Sequence, residues 1–486
     1  MVETELYLGL DIGTKNIKAV ILSSDGCVLE KKVTPIYDLV KQPRENFVER
    51  DPKGLWKRIK GTIKSMKYAN QVVALCVDAT SGTIVPIDKK GKELYPLIMY
   101  NDSRAVKEAN ELREKSKAAR DFEKYLPITP QLVLPKLMWL KKYFENFRKI
   151  FKILHESDYI VYKLTDSIAT SPNVAGKSHA LLTKLGYLEE AYKDVEIPVD
   201  IMPKVYPIGS VIGHVEEKAS KELGIPSNIP VINGVTDASA GDITSGALYP
   251  GQASVTIGTS LTVHAVVDML VPDPYRRFYY KVYVNDTYLA GGFTNAGTTA
   301  LDTIGKLLDL SINELTNMAS RVPPGSEGLI SCTEWYGVRV PRTYPSLKGF
   351  IMGLSERNVT PGHIFRSLLE GCALALRLML TAVEDVTGTD FYDLRISGGA
   401  SRNSLLMQII ADTTGKTVKI VEEPDSALGS AILAAWGSKG RKDIAKFVHQ
   451  VVKIKAEFTP DLRNKPVYDE LAGRYESLIE RIADLF

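Results

Sequence analysis

Apolar residues follow two patterns along the chain. Short unbroken apolar runs ending at Gly, Asp, Ser or Thr predict buried strands, and apolar positions three and four apart predict helices. Residues 5–36 read as three strands. Leu8-Gly9-Leu10-Asp11-Ile12 turns at Gly13-Thr14 into Asn16-Ile17-Lys18-Ala19-Val20-Ile21-Leu22, and Ser23-Ser24-Asp25-Gly26 makes the second turn. Leu55, Ile59 and Ile63 carry a helical period through Asp51–Ser65, and the apolar run 71–77 predicts a buried strand ending at Asp78. Further on, 96–105 predicts a short strand and polar loop, leading to a charged helix through about residue 120. The stretch 132–165 reads as largely helical, 166–185 as a polar, ligand-facing loop, and 230–237 as a strand ending in a polar turn. Small residues from Ala238 to Ala247 predict a closely packing helix. Beyond it come a second hairpin, a long helix from Pro361 to about Val386, and strands at 394–397 and 416–421. Helices are expected at 403–414, 426–436 and 466–486.

The second hairpin repeats the first. Ala253-Ser254-Val255-Thr256-Ile257-Gly258-Thr259-Ser260 again runs a β-rich segment into a Gly-Thr turn, about 245 residues after Gly13-Thr14. Glycine lets the backbone approach a ligand closely, and neighbouring N–H and hydroxyl groups can hold phosphate oxygens. Two such turns suggest two related domains, each offering a phosphate clip to one nucleotide. Asp11 stands where the repeat has Thr256, and this places a carboxylate for a metal ion. Three strands, a helix and a further strand open a ribonuclease-H-like unit. The chain divides on this reading at residues 1–245 and 246–486, with the hinge between about 240 and 253.

Composition narrows the field. With 486 residues the chain exceeds what one core normally serves. The net charge of +3 shows no bias toward nucleic acid or anionic membrane. No basic region precedes an apolar core at the N-terminus, and no apolar run reaches membrane-spanning length. Cys27, Cys76, Cys332 and Cys372 are scattered without a CxxC, so neither disulfides nor a zinc site is expected, and a reducing cytoplasm fits.

Nine segments in order make a specific resemblance: DIGT, VERDP, IMYNDSRA, NGVTDASAG, TIGTS, VPPGSEGL, FRSLLEGCALALR, ISGGASRN and ALGSAILAA. Together they are similar to the FGGY family of carbohydrate kinases, over residues from about 5 to about 440. The resemblance implies an α/β fold of two ribonuclease-H-like (actin/hexokinase-type) domains with a nucleotide cleft between them. It places Asp237 as the catalytic base, a carboxylate that takes the proton of an attacking hydroxyl. The alternative for an isolated Asp is a helix N-cap. Asp11, with Asp237 near, would hold Mg²⁺ directly or through water; a turn-forming Asp is its alternative. ATP contacts fall to Gly13, Thr14, Gly258, Thr259, Ser260, Gly297 and Thr298, with Gly398, Gly399, Ala400 and Asn403 bordering the adenosine. Lys15 adds charge there or faces outward, and Asn403 bonds the nucleotide or caps its helix; the sequence leaves both pairs of readings open.

On the sugar side the resemblance implies Asp78, Ala79, Asn101, Asp102, Lys177 and Asn295. Asp102, after Asn101 at a strand end, is expected to accept bonds from adjacent sugar hydroxyls. Lys177 either bonds a sugar hydroxyl or is a solvated loop lysine. Many xylulokinases carry Gln-Met-His-Gly where this chain has Thr80-Ser81-Gly82-Thr83, and Asp78-Ala79-Thr80 looks like the ribulokinase branch. Glycerol kinases have an Arg-Glu pair in this loop, which is absent here. The implied activity is transfer of the ATP γ-phosphoryl group to the terminal hydroxyl of a ketopentose, D-ribulose or D-xylulose. Another ketose or polyol is the alternative acceptor, and a nucleotide-switched binding protein on the same fold is the alternative class. The partners expected are the sugar and ATP with Mg²⁺, with a homodimer left open and neither nucleic acid nor membrane.

Overall fold

The computed structural model describes residues 4–338, 342–422, 424–483 and 485. The chain forms two compact α/β units. One comprises Met1–Thr244, Lys281–Asp286 and Asp425–Val451; the other comprises Ser245–Tyr280, Thr287–Pro424 and Val452–Phe486. Two later segments, 281–286 and 425–451, thus join the first unit.

The first unit is built on a six-stranded sheet in the order Val211–His214, Pro230–Ile232, Val72–Ala79, Leu6–Ile12, Asn16–Ser23 and Val28–Pro35. Leu6–Ile12 is buried along its whole length, because helices cover both faces of the sheet. The helix Pro52–Lys64 starts at the Asp51 cap, which accepts from the Lys53 N–H, and has Pro52 in its first turn. It buries Leu55, Trp56, Ile59 and Ile63, one face of a 3.6-residue period. The helix Ser426–Ser438 is Ala- and Gly-rich because it packs directly on backbone. A Cβ on Gly9 would lie 1.9 Å from the Ala427 carbonyl oxygen, and one on Gly429 would lie 2.1 Å from that of Ala240. Larger side chains at these positions would force Ser426–Ser438 away from the sheet and from the helix Asp237–Ser245. A second sheet, of five strands, runs Val40–Lys41, Glu49–Arg50, Leu97–Ile98, Ile84–Ile87 and Lys152–His155.

Two elements differ from the sequence reading. The region 132–165 is not one helical stretch: Lys152–His155 is a strand, paired antiparallel with Ile84–Ile87, between the helices Val133–Tyr143 and Glu156–Thr165. Sheet pairing there outweighs local helical preference. The strand at 230 stops at Ile232; beyond it the Asn233 side-chain amide donates to the carbonyls of Thr170, Tyr206 and Pro207 and holds the following turn.

The second unit repeats the plan in a seven-stranded sheet. The hairpin Gln252–Ile257 and Leu261–Val267 is antiparallel, and Gln252–Ile257 also pairs in parallel with Asp393–Ser397. The helix Pro361–Thr387 begins at the Thr360 cap with Pro361 in its first turn and ends at Gly388, whose φ of 68° suits glycine. Among the described residues no helix is long and apolar enough to cross a membrane.

Candidate functional site

The strands Leu6–Ile12 and Val72–Ala79 run parallel in a register that sets Asp11 beside Asp78. Antiparallel pairing on the other side sets Lys18 beside Asp11, with its Nζ 3.2 Å from Asp11 Oδ2. Asp78 Oδ2 accepts from the Ser430 hydroxyl at 2.5 Å. Asp11 Oδ1 and Asp78 Oδ1 are buried without a hydrogen-bond partner. Burial pushes the Asp78 carboxyl well above its ordinary range, and the Asp11 charge adds to it. Asp11 is also pushed up, by burial against the opposing pull of Lys18. Two crowded carboxylates with two vacant oxygens form a site that calls for a proton or a cation.

The second unit places Thr256 beside Ser397 at the equivalent pairing of its own parallel strands. There the two hydroxyls lie 3.1 Å apart and hydrogen-bond each other. The repeat read from the sequence is therefore a structural repeat, with carboxylates in one copy and neutral hydroxyls in the other.

Asp237 opens the helix Asp237–Ser245 and is tied to the first site through an isolated parallel bridge between Ala79 and Thr236. It keeps part of its surface, but protein crowds its carboxyl. That crowding, then the Asp11 charge, raises it to about 6; the Ala238 N–H, Lys281 and Lys177 pull the other way. Its Oδ1 accepts from the Ala238 N–H at 2.8 Å; Asp237 is the first helical residue, and Thr236, whose carbonyl accepts from the Ala240 N–H at 2.9 Å, holds the cap position. Asn173 fixes the residues around it. The Asn173 Oδ1 accepts from the Thr236 N–H at 2.9 Å and the Thr236 hydroxyl at 3.1 Å. Its Nδ2 donates to Ser239 Oγ at 3.0 Å and to the Val282 carbonyl at 2.7 Å. Lys177 donates to the Ser81 carbonyl at 3.1 Å, and burial lowers its pKa to about 8. Lys136 is fully buried, donates to the carbonyls of Gly82 and Met99 at 2.9 and 2.8 Å, and is lowered by burial to about 7.

Profiles of known families match both units. That of the N-terminal domain of the FGGY family of carbohydrate kinases covers residues 6–244, and that of its C-terminal domain covers residues 253–438. The chain belongs to the FGGY family of carbohydrate kinases. A xylulose kinase of Staphylococcus xylosus is 26% identical over 97% of this chain and 99% of its own. A gluconokinase of Bacillus subtilis (strain 168) is 24% identical over 99% of this chain and 98% of its own. The crystal structure of a xylulose kinase from Rhodospirillum rubrum superposes with a TM-score of 0.90 at 26% identity, covering 99% of each chain. The two-domain α/β FGGY architecture expected from the sequence is the one found.

The remaining positions singled out for an FGGY kinase fall as follows. In the first unit Gly13 donates to the Asn16 carbonyl at 3.0 Å, closing the turn, and the Thr14 hydroxyl lies 3.4 Å from the Tyr100 hydroxyl. Lys15 and Asn101 are exposed. Both oxygens of Asp102 accept from protein groups. Asp102 Oδ2 accepts from the Val48 N–H at 2.6 Å and from Arg104 Nη2 at 2.7 Å. Asp102 Oδ1 accepts from the Arg104 N–H at 3.0 Å and Nε at 2.8 Å.

In the second unit Gly258 donates to the Ser260 carbonyl at 3.0 Å and accepts from the Thr298 N–H at 2.8 Å. A Cβ on Gly297 would lie 2.2 Å from the Thr259 carbonyl oxygen, so only glycine lets this loop close on the turn. Gly398 has a φ of 93° and presses on Ile257, while Gly399 faces open space and Ala400 is buried. Asn403 caps Ser404–Thr414 through the Leu406 N–H, and its amide donates to Thr316 Oγ1 at 3.0 Å. The Asn295 amide donates to the Gly337 carbonyl at 2.9 Å.

Asn173, Lys136, Ser430 and Arg50 escaped the residue-by-residue reading. Arg50 and Ser430 lie inside the segments VERDP and ALGSAILAA, and Asn173 inside the polar stretch 166–185. Location in a recognisable segment was the available signal; the contacts were not.

Proposed function

We propose that this FGGY kinase transfers the γ-phosphoryl group of ATP to the terminal hydroxyl of a ketopentose, D-ribulose or D-xylulose. The observation that carries the reading is Asp237: a crowded carboxyl raised to about 6, opening a helix of small residues and flanked by groups that Asn173 locks. A base near neutral pH accepts a proton without being permanently protonated. Asp237 takes the proton of the acceptor hydroxyl as that oxygen bonds to the γ-phosphorus. The bond from that phosphorus to the β–γ bridging oxygen breaks, and ADP leaves.

The vacant Asp11 Oδ1 and Asp78 Oδ1 are hard oxygen donors, and they fit Mg²⁺. Among the described residues no group of three or more acidic, His or Cys side chains is arranged to hold a metal alone. One or two carboxylates completed by phosphate oxygens and water match the way Mg²⁺ is held beside nucleotides. Bound there, the ion would neutralise phosphate charge. Lys18 keeps Asp11 oriented by its ion pair.

Support for a pentulose comes from relatives named xylulose kinase and from the Asp78-Ala79-Thr80 loop. A second reading, an aldonic acid acceptor, is favoured by the relative named gluconokinase and by Lys177 beside Asp237, a cation suited to a carboxylate. Phosphorus NMR of the product formed from ATP and each of D-ribulose, D-xylulose and D-gluconate tests the proposal. A terminal phosphomonoester of a pentulose supports it; product from gluconate alone selects the second reading.

A further inference from the structure

The segment VERDP contains a buried cation whose partners lie in a turn and at the start of a helix. Arg50 is 1% exposed. Its Nη2 donates to the Gly13 carbonyl at 2.9 Å and to the Thr14 carbonyl at 2.8 Å. Its Nη1 is ion-paired with Glu156 Oε1. The other Glu156 oxygen accepts from the Thr80 hydroxyl at 2.9 Å. Thr80 Oγ1 lies 2.7 Å from Thr83 Oγ1, which accepts from the Tyr100 N–H at 3.0 Å. The Glu156 N–H donates back to the Thr83 carbonyl at 3.1 Å.

The consequence for the Gly13-Thr14 turn follows from peptide geometry. In a trans peptide the N–H points opposite to the C=O of the same unit. Arg50 draws the Gly13 and Thr14 carbonyls toward itself, so the Thr14 and Lys15 N–H groups are turned away from it. Among the described residues neither N–H donates to a protein acceptor. Two successive free N–H groups on one side of a turn form an anion-binding concavity. At the other end, the Glu156 carboxylate fixes Thr80 and Thr83, which frame the loop after Asp78.

We propose that Arg50 is a positioning residue that sets the phosphate turn and the acceptor loop from one buried fork. It rests on the reading above that the Gly13-Thr14 turn meets nucleotide phosphate and the loop at Thr80 meets the acceptor. Arginine suits the task because its planar head donates in several fixed directions at once; a lysine ammonium is a point charge and cannot span the same three acceptors.

The test uses the full chain as wild type, Arg50→Lys, Thr80→Val and Thr80→Ser. Each is assayed for melting temperature, MgATP affinity by calorimetry, and kcat and KM with whichever acceptor the wild type uses. Arg50→Lys is expected to weaken MgATP several-fold and to lower kcat/KM for the acceptor by on the order of 10²-fold, the scale of a small misplacement at a reacting centre. Thr80→Val is expected to raise acceptor KM with MgATP affinity unchanged, and Thr80→Ser to restore it. Arg50→Lys with wild-type affinities and only a lower melting temperature would reduce the residue to a structural role and overturn the proposal. If Arg50→Lys does not fold, wild-type acceptor KM in Thr80→Val overturns it as well. A wild type that phosphorylates no acceptor sinks the kinase reading instead, and the calorimetry still decides whether Arg50 shapes the phosphate turn.

Discussion

Asp11 and Asp78 sit side by side on parallel strands, and each leaves one buried carboxylate oxygen without a partner. In the second unit the equivalent pair is Thr256 and Ser397, two neutral hydroxyls bonded to each other. The repeat therefore carries its charge in one copy only.

Replacing Asp78 by Asn removes like-charge crowding while keeping the shape and the acceptor for Ser430. Because burial and Asp11 drive the Asp78 carboxyl upward, its ionised form strains the fold. Asp78→Asn is expected to melt at or above the wild-type temperature without metal and to bind Mn²⁺ more weakly. Thermal scans with and without metal, and paramagnetic titration of Mn²⁺, check both.

Asp237→Asn is expected to lower kcat by roughly 10²–10⁴, the contribution of a positioned base, while MgATP affinity stays near wild type. The pH profile follows from the raised carboxyl. A base works deprotonated, so acceptor kcat/KM should fall as pH drops through about 6 and level off above it. Residual activity of the Asn variant should lack that limb. Initial rates across pH for both proteins measure the difference.

Asn173→Ala deletes four hydrogen bonds and strands the Thr236 N–H in a buried setting. A buried unpaired donor costs about 1–3 kcal/mol. Stability should fall by that amount in denaturant titrations, and kcat should fall with it because Asp237 follows Thr236 directly. Wild-type kcat in the folded variant would show that Asp237 holds its place without Asn173.

Asp102→Ala should act on stability. It leaves the Arg104 guanidinium buried with the Glu49 carboxylate, the Tyr95 hydroxyl and the Phe47 ring, and breaking a buried ion pair costs about 3–5 kcal/mol. Melting temperature is expected to drop steeply, with acceptor KM little changed in the protein that remains folded. A large rise in acceptor KM at full stability would return Asp102 to the sugar site.

Asp11, Gly13 and Gly258, at a strand end or tight turn, and Asp237, at the start of a helix, were legible as positions, because local sequence carries that signal. The supporting contacts were not, because they join distant parts of the chain. Arg50 reaches Gly13 across 37 positions, Asn173 reaches Thr236 across 63, and Ser430 reaches Asp78 across 352. No local period encodes such pairings. Asp102 shows the same limit from the other side. Its segment is recognisable, yet only the fold brings Val48, 54 positions away, against its carboxylate. The helical reading of 152–155 failed for a related reason: the strand exists through its partner Ile84–Ile87.

The most direct test of the central claim is ADP release from MgATP by the purified full chain, measured alone and with D-ribulose, D-xylulose, D-gluconate and glycerol in turn. The account predicts slow release alone and strong stimulation by a pentulose, abolished by Asp237→Asn. A rate that no sugar changes would contradict it.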